Sequence, residues 1–244
     1  MSEPSTAIRD QDSRLLARRA AQVQRGGARA AVLGLNDGLV STICLVLGVY
    51  AAGGSREAVL LAGLAGLLAG AISMAAGEWI SVRSQVELFQ GILSDLREMM
   101  KRDKALLVDT LAKHLQADGV SPSTARTASD QLAAKDGFFD VYSSQVIGLN
   151  PDELGSPWTA AASSFALFSL GSLAPLAPWF FGADMTIVWI AITLTVIGGA
   201  LAGGFVAYSS GKSIVFGAVR QVGLILFAAG ITYFIGSLFG TLTS

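Results

Sequence analysis

Two carboxylates lie inside stretches of the chain that are otherwise apolar enough to cross a membrane. Asp37 follows Asn36 near the start of one stretch, and Glu78 lies near the end of the next. An ionised side chain at the centre of a membrane helix costs at least ~2.5 kcal/mol on insertion scales. A carboxylate kept at that cost usually faces a cation, a partner or water. Asp37 is the harder one to explain without a function, because its nearest upstream cation, Arg29, is two helical turns away.

A thioether and an amide near these carboxylates indicate which ions they could bind. Met74 precedes Glu78 by four residues, so both side chains project from one face of a helix. Oxygen ligands alone suit Mg²⁺ or Ca²⁺, whereas an added sulfur favours Fe²⁺ or another transition metal. The residues therefore predict a divalent-metal site of Asp37, Met74 and Glu78, with Asn36 as a further oxygen donor. Taken alone, Met74 is more often a packing residue, and Glu78 could instead reach the membrane interface.

The rise of a helix places these groups at comparable depths. If the first apolar stretch enters the membrane near Ala31, Asp37 lies ~9 Å from the cytoplasmic boundary. If the second leaves near Val82, Glu78 is ~7 Å deep and Met74 ~13 Å deep. The two stretches are expected to run antiparallel and to bring the two carboxylates together. Carboxylates in such a place could also exchange protons, since burial raises their pKa and a bound cation lowers it.

The composition is that of an integral membrane protein. Of the 244 residues, 52% are hydrophobic and 14% charged, against ~25% charged in a typical soluble domain. Five apolar stretches are each long enough for the ~30 Å hydrocarbon core; they cover residues 30–52, 58–82, 158–181, 185–208 and 213–240.

Several classes of function are not expected. The single cysteine, Cys44, cannot form an intrachain disulfide, and the single histidine, His114, excludes a His-rich metal site. The chain shows no nucleophile paired with a base and no phosphate-binding loop, so an enzyme is not expected. The net charge of −1 gives no indication of a nucleic-acid partner, and none is expected.

The polar region between the second and third stretches reads as a small helical domain. Its first helix is expected to continue the second stretch without a break. Ser121-Pro122 has the pattern of an N-cap followed by proline at the first helical position, and a later helix is expected to stop at Gly148. The predicted fold class is an all-α integral membrane protein with five transmembrane helices and this cytoplasmic domain inserted between helices 2 and 3. Its parts are a tail with a basic amphipathic helix (1–29), helices 1–2 (30–83), the insert (84–156) and helices 3–5 (157–244).

The distribution of basic residues predicts the orientation. Of the 17 Lys and Arg residues, six precede the first stretch and eight lie from Arg83 to Lys135, whereas Arg56 alone lies in the loop between the first two stretches. The positive-inside rule then puts the tail and the insert in the cytoplasm and the C-terminus outside. The expected location is a cell inner (plasma) membrane, or a vacuolar-type membrane if the chain is eukaryotic.

Two motifs resemble the vacuolar iron transporter family. Residues 29–41, RAAVLGLNDGLVS, resemble its first-helix signature, and residues 69–82, AGAISMAAGEWISV, resemble its second-helix motif. The resemblance implies a five-helix homodimer that moves Fe²⁺, and sometimes Mn²⁺, out of the cytoplasm against protons along a path between protomers. Asp37, Met74 and Glu78 match the family's path residues. The metal is cargo, no permanently bound cofactor is expected, and the implied partners are divalent ions, protons, the bilayer and a second copy.

The resemblance implies that the insert should be a glutamate-rich domain that collects ions. The insert of this chain departs from that pattern. Three carboxylates on its first helix share one broad stripe and are candidate metal ligands: Glu87, Asp95 and Glu98. Basic residues interrupt or follow that stripe: Arg97, Lys101 and Arg102. The insert could therefore bind ions weakly or only hold the dimer together. The alternative function is a non-transporting membrane scaffold or metal sensor that keeps the fold.

Overall fold

The computed structural model describes residues 27–150 and 155–243, with side chains for 32–150 and 155–242. The tail and basic amphipathic helix predicted before residue 27 lie outside this range. The described residues form helices without any strand. They are α1 Gly27–Ala51, α2 Arg56–Arg102, α3 Lys104–Ala117, α4 Pro122–Ala133, α5 Phe138–Tyr142, α6 Pro157–Leu176, α7 Met185–Ser209 and α8 Ile214–Thr243.

Five of these helices, α1, α2, α6, α7 and α8, are long and apolar enough to cross a membrane. This confirms the all-α fold class and the five predicted spans. The helix α2 runs for 47 residues without interruption, so the helix that opens the insert is indeed the continuation of the second apolar stretch.

Local sequence signals set several helix ends. Ser121 accepts a hydrogen bond from the backbone of Thr124, and Pro122 opens α4, as predicted. In the third span Pro175 ends the α-helix within one residue, and a 3₁₀ turn, Ala177–Phe180, follows. The helix α5 continues directly into a π-helical turn, Ser143–Ile147, which stops at Gly148. The φ of Gly148 is 76°, in the left-handed region. Proline removes a backbone donor and glycine tolerates positive φ, so these stops follow from the residues themselves.

The helices divide into two compact units, and α2 contributes to both. The first unit holds the described residues up to Ile80 and from Pro157 onward, and the second runs from Ser81 to Ser156. The first unit is a bundle of the five spans. Its fully buried core side chains include Ile43, Val46, Leu176, Trp179 and Ile225.

Small residues let the spans of the bundle approach closely. A Cβ added at Gly38 of α1 would lie 2.2 Å from the carbonyl oxygen of Phe168 on α6. A Cβ at Gly203 of α7 would lie 2.5 Å from the carbonyl oxygen of Gly217 on α8. Membrane helices associate through such small-residue surfaces because lipid supplies little hydrophobic drive between them.

The second unit has a separate small core. Leu96, Leu107, Leu111, Phe138 and Tyr142 are buried together. Two cations lie over its aromatic rings, Arg97 over Phe139 and Lys104 over Phe138. On its surface Arg126 forms ion pairs with Asp130 and Asp109, and the hydrogen bonds that its guanidinium donates to these two carboxylates raise its pKa.

Candidate functional site

Asp37 lies on the face of α1 that points away from the bundle core. Leu39, Ile43 and Val46 occupy the buried face of the same helix, whereas Asp37 is exposed. The hydroxyl of Ser41, one turn later, donates to the backbone carbonyl of Asp37 at 2.5 Å. The carboxylate of Asp37 is therefore presented on the open side of the single chain, within a span that carries no other charged residue.

Asn36 faces a different neighbour from Asp37. Its side-chain oxygen accepts a hydrogen bond from the side-chain amide of Gln221 on α8. Consecutive residues of an α-helix are ~100° apart around the axis, so the two adjacent polar side chains point to different sides of α1. The structure thus links Asn36 to α8 and leaves Asp37 on the exposed side.

Met74 and Glu78 lie on α2 and are both half-buried. The contacts between α1 and α2 show how the two helices are aligned. A Cβ on Gly63 would lie 3.1 Å from Val46, and one on Gly66 would lie 2.5 Å from Leu45. The pairing runs in opposite directions along the two helices, as expected for antiparallel spans.

Extending this alignment shows which α2 residue lies level with Asp37. Asp37 precedes Val46 by nine residues and Leu45 by eight, so it is expected to lie at the level of roughly residues 72–74 of α2. Met74 is therefore nearest its level, and Glu78 lies about one turn, ~6 Å, further toward the end of the span. The expectation that Asp37 and Glu78 lie at comparable depth stays a prediction, because hydropathy locates the membrane boundary only to within several residues. Side chains tilt toward the N-terminus of their own helix, which brings these antiparallel carboxylates closer than their backbones.

The described residues of a single chain do not form a recognisable metal site. No group of three or more His, Cys, Asp and Glu residues suited to a metal ion occurs among the described residues. None of the ion pairs between described residues involves Asp37 or Glu78. The assignment of these two carboxylates and the thioether as metal ligands stays a prediction.

The carboxylates of the second unit fall into two separate settings. Arg83 donates to Glu87 at 2.6 Å in an ion pair one turn apart. Asp95 and Glu98 instead line an open surface depression of about 570 Å³. That depression is also lined by Met99, Lys101 and Arg102. A thioether accompanies the two carboxylates there, but so do two cations that would repel a metal ion.

Comparison with known proteins gives the chain its relatives. The family model described as the VIT family matches residues 28–237. The chain belongs to the VIT family. It is 34% identical to a vacuolar iron transporter of Acanthamoeba castellanii, over 89% of this chain and 80% of that protein. It is 33% identical to vacuolar iron transporter homolog 1 of Oryza sativa subsp. japonica, over 87% and 73% of the two chains. It is also 30% identical to vacuolar iron transporter homolog 2 of Arabidopsis thaliana, over 87% and 84%.

The VIT-family match includes every candidate site residue and two residues that the sequence analysis did not single out. Gln221 was missed although a glutamine inside an apolar span is itself a signal, since a buried amide in hydrocarbon requires a hydrogen-bond partner. Met99 was missed although it follows Asp95 by four residues and so shares its helix face.

Proposed function

We propose that this VIT-family chain is a divalent transition-metal transporter that carries Fe²⁺, and Mn²⁺ as a second cargo, out of the cytoplasm in exchange for protons. The relatives named as vacuolar iron transporters support iron as the cargo. The observation that carries the proposal is Asp37, an exposed carboxylate on an apolar span. A carboxylate in such a place is expensive unless it serves an ion pathway.

The chemistry of the proposed path follows from its donors. Asp37 and Glu78 supply hard, charged oxygens, and Met74 supplies a soft sulfur that favours a transition metal over Mg²⁺ or Ca²⁺. A cation between the carboxylates stabilises their ionised forms, and its departure makes protonation easier. Alternate occupation by a metal ion and by protons is the basis of the proposed exchange.

We propose that the transporter is a homodimer in which a second copy completes the path. The second copy would cover the exposed side of α1 and contribute its own Asp37. Apolar exposure on the second unit supports the same assembly. Leu88, Ile92 and Met99 recur at helical spacing on α2 and are exposed by 68%, 41% and 37%. An apolar stripe on an extramembrane helix is typical of an interface with another protein surface.

The proposed orientation rests on the distribution of basic residues. The tail and the second unit carry most of the Lys and Arg residues, and we place both in the cytoplasm. The ions would then enter from the second unit's side and leave on the side of the α1–α2 turn. We propose a cell inner membrane for this arrangement, or a vacuolar-type membrane in a eukaryote.

The proposal is tested by flux into proteoliposomes that contain the purified chain. Fe²⁺ transport should require the protein, should respond to an imposed pH gradient, and should be accompanied by proton movement in the opposite direction. Absence of metal flux in vesicles that contain correctly folded protein would contradict transport. Metal flux without any proton movement would contradict antiport alone.

The charges of the second unit favour a second candidate function. Glu87 is paired with Arg83, and Lys101 and Arg102 lie beside Asp95 and Glu98. A domain whose carboxylates are so neutralised would collect ions poorly, which fits a scaffold or sensor that keeps the fold without transport. Metal binding without flux in the same vesicles would favour this candidate.

A further inference from the structure

We infer that Gln221 is a positioning residue for the transport site and acts through Asn36 on the turn of α1 that carries Asp37. The expected effect on transport rests on the proposed function, whereas the hydrogen bond between Gln221 and Asn36 does not depend on it. Gln221 lies on α8 and is half-buried within an apolar span. Its side-chain amide links α8 to α1 through the side chain of Asn36.

The hydrogen bond between Gln221 and Asn36 joins residues that are 185 positions apart in sequence. Both amides lie inside spans, where water is scarce and an unpaired amide is costly. Each amide is therefore the other's natural partner, and the pair ties the first turns of α8 to α1 beside Asp37.

Small residues on α7 explain why Gln221 reaches across to α1. A Cβ on Gly203 would lie 2.7 Å from the Cβ of Gln221, and one on Gly199 would lie 3.7 Å from its Cγ. The stem of Gln221 thus runs along a glycine surface of α7 that no larger residue could provide. The closely packed glycines, which otherwise only explain helix association, also allow the amide to approach Asn36.

The turn that carries Asp37 is held on both sides. On one side Asn36 is bonded to Gln221 of α8. On the other, Gly38 packs against Phe168 of α6, and the hydroxyl of Ser172 donates to the Gly38 carbonyl at 3.4 Å. Asp37 lies between these two attachments, so the rotation of α1 that aims its carboxylate is set by both. Loss of the Gln221 amide should release one attachment and leave the other in place.

A direct test measures the exposure of position 37 without any transport assay. In a Cys44→Ser background, Asp37→Cys is reacted with a water-soluble thiol reagent in the purified full chain. Adding Gln221→Met, which keeps the length and removes the amide, should change the modification rate about threefold or more, the range expected for one hydrogen bond between membrane helices. Thr195→Val is the matched control, because the Thr195 hydroxyl donates to the carbonyl of Ala191 on its own helix, at 2.7 Å. An unchanged rate with Gln221→Met, or an equal change with Thr195→Val, would overturn the inference.

The functional arm uses the otherwise wild-type protein in proteoliposomes. Gln221→Met should raise the KM for Fe²⁺ about three- to tenfold with a smaller change in the maximal rate per folded protein. The exchanged pair Asn36→Gln with Gln221→Asn should restore the KM, since it keeps one long and one short amide. A fall in the maximal rate alone would indicate a purely structural role and overturn the inference. If the unsubstituted protein shows no flux but the thiol rates behave as expected, the proposed function fails and the positioning by Gln221 stands.

Discussion

At the scale of single residues, Asn36 and Asp37 show how neighbours in sequence acquire different roles. Asn36 is bonded to α8, whereas Asp37 is exposed on the far side of the helix from the core. The polar character of both was evident from the sequence. Which one would face a neighbour could not be predicted, because it depends on Gln221, a residue 185 positions away.

The thioether of Met74 is the residue-scale feature that distinguishes a transition-metal path from an alkaline-earth one. Met74→Leu preserves most of the side-chain volume and removes the soft donor, so Fe²⁺ flux should fall relative to Mn²⁺ flux. Competition between the two ions in proteoliposomes measures this ratio. Met99→Leu, which changes a thioether in the second unit, is the control. An unchanged ratio with Met74→Leu would make Met74 a packing residue.

At the scale of elements, the bundle depends on helices whose backbones nearly touch. Gly171 of α6 shows this most clearly, since a Cβ there would lie 2.2 Å from the carbonyl oxygen of Leu35 on α1. Because that carbonyl belongs to the backbone of the turn before Asp37, the contact cannot relax by moving a side chain.

Gly171→Ala is expected to destabilise the bundle by ~1–3 kcal/mol, the usual cost of overpacking. Gly223→Ala is the matched control, because it also lies in a span and a Cβ there meets nothing within 4 Å. The control should be neutral or stabilising by up to ~1 kcal/mol, since alanine favours helix over glycine. Thermal unfolding in detergent compares the two, and equal stability of both variants would contradict the close contact of α1 and α6.

The last turns of α2 lead to a separate prediction about ion collection. Asp95 and Glu98 share their depression with Lys101 and Arg102, so we expect it to bind Fe²⁺ or Mn²⁺ no tighter than ~10⁻⁴ M, the weak end for carboxylate sites. Asp95→Asn with Glu98→Gln should therefore slow transport by the full chain only modestly. Calorimetry on an Asp37→Asn protein measures the remaining binding. Micromolar affinity at several sites would show that these carboxylates converge despite the nearby cations.

Helix ends and spans were predictable from the sequence, whereas the arrangement of the spans was not. Ser121-Pro122 and Pro175 act within one turn of themselves, so they mark where helices begin and end. The contact of Gly203 with Gly217 and the packing of Gly38 on Phe168 depend on pairs of distant segments. The candidate site shares this division: the types of its residues could be predicted, and their directions around α1 and α2 could not.

At the scale of the whole molecule, the proposed dimer accounts for exposure that a single chain leaves unexplained. It would cover both the Asp37 side of α1 and the apolar stripe of Leu88, Ile92 and Met99. The described residues of a single chain contain no group of three or more His, Cys, Asp and Glu side chains suited to a metal ion. A second copy would double the number of carboxylates available to one ion.

A cysteine in the apolar stripe tests the dimer. In a Cys44→Ser background, Ile92→Cys should form a covalent dimer on mild oxidation in native membranes, because Ile92 lies at the centre of the stripe. Lys113→Cys, also exposed on the second unit, should form little of it. Equal cross-linking of both variants, or none at Ile92→Cys, would argue against this interface.

The most direct test of the account is Fe²⁺ flux by Asp37→Asn, which removes the charge and keeps the shape of the side chain. Substitution of a residue that only supports a metal ligand costs ~10–100-fold in metal affinity or activity. Loss of a ligand itself should therefore reduce flux by more than ~100-fold. Glu57→Gln, an exposed carboxylate in the first turn of α2, is the control and should transport at the wild-type rate. Both variants should express and unfold like the unsubstituted protein. Flux at the wild-type rate by Asp37→Asn would contradict the account.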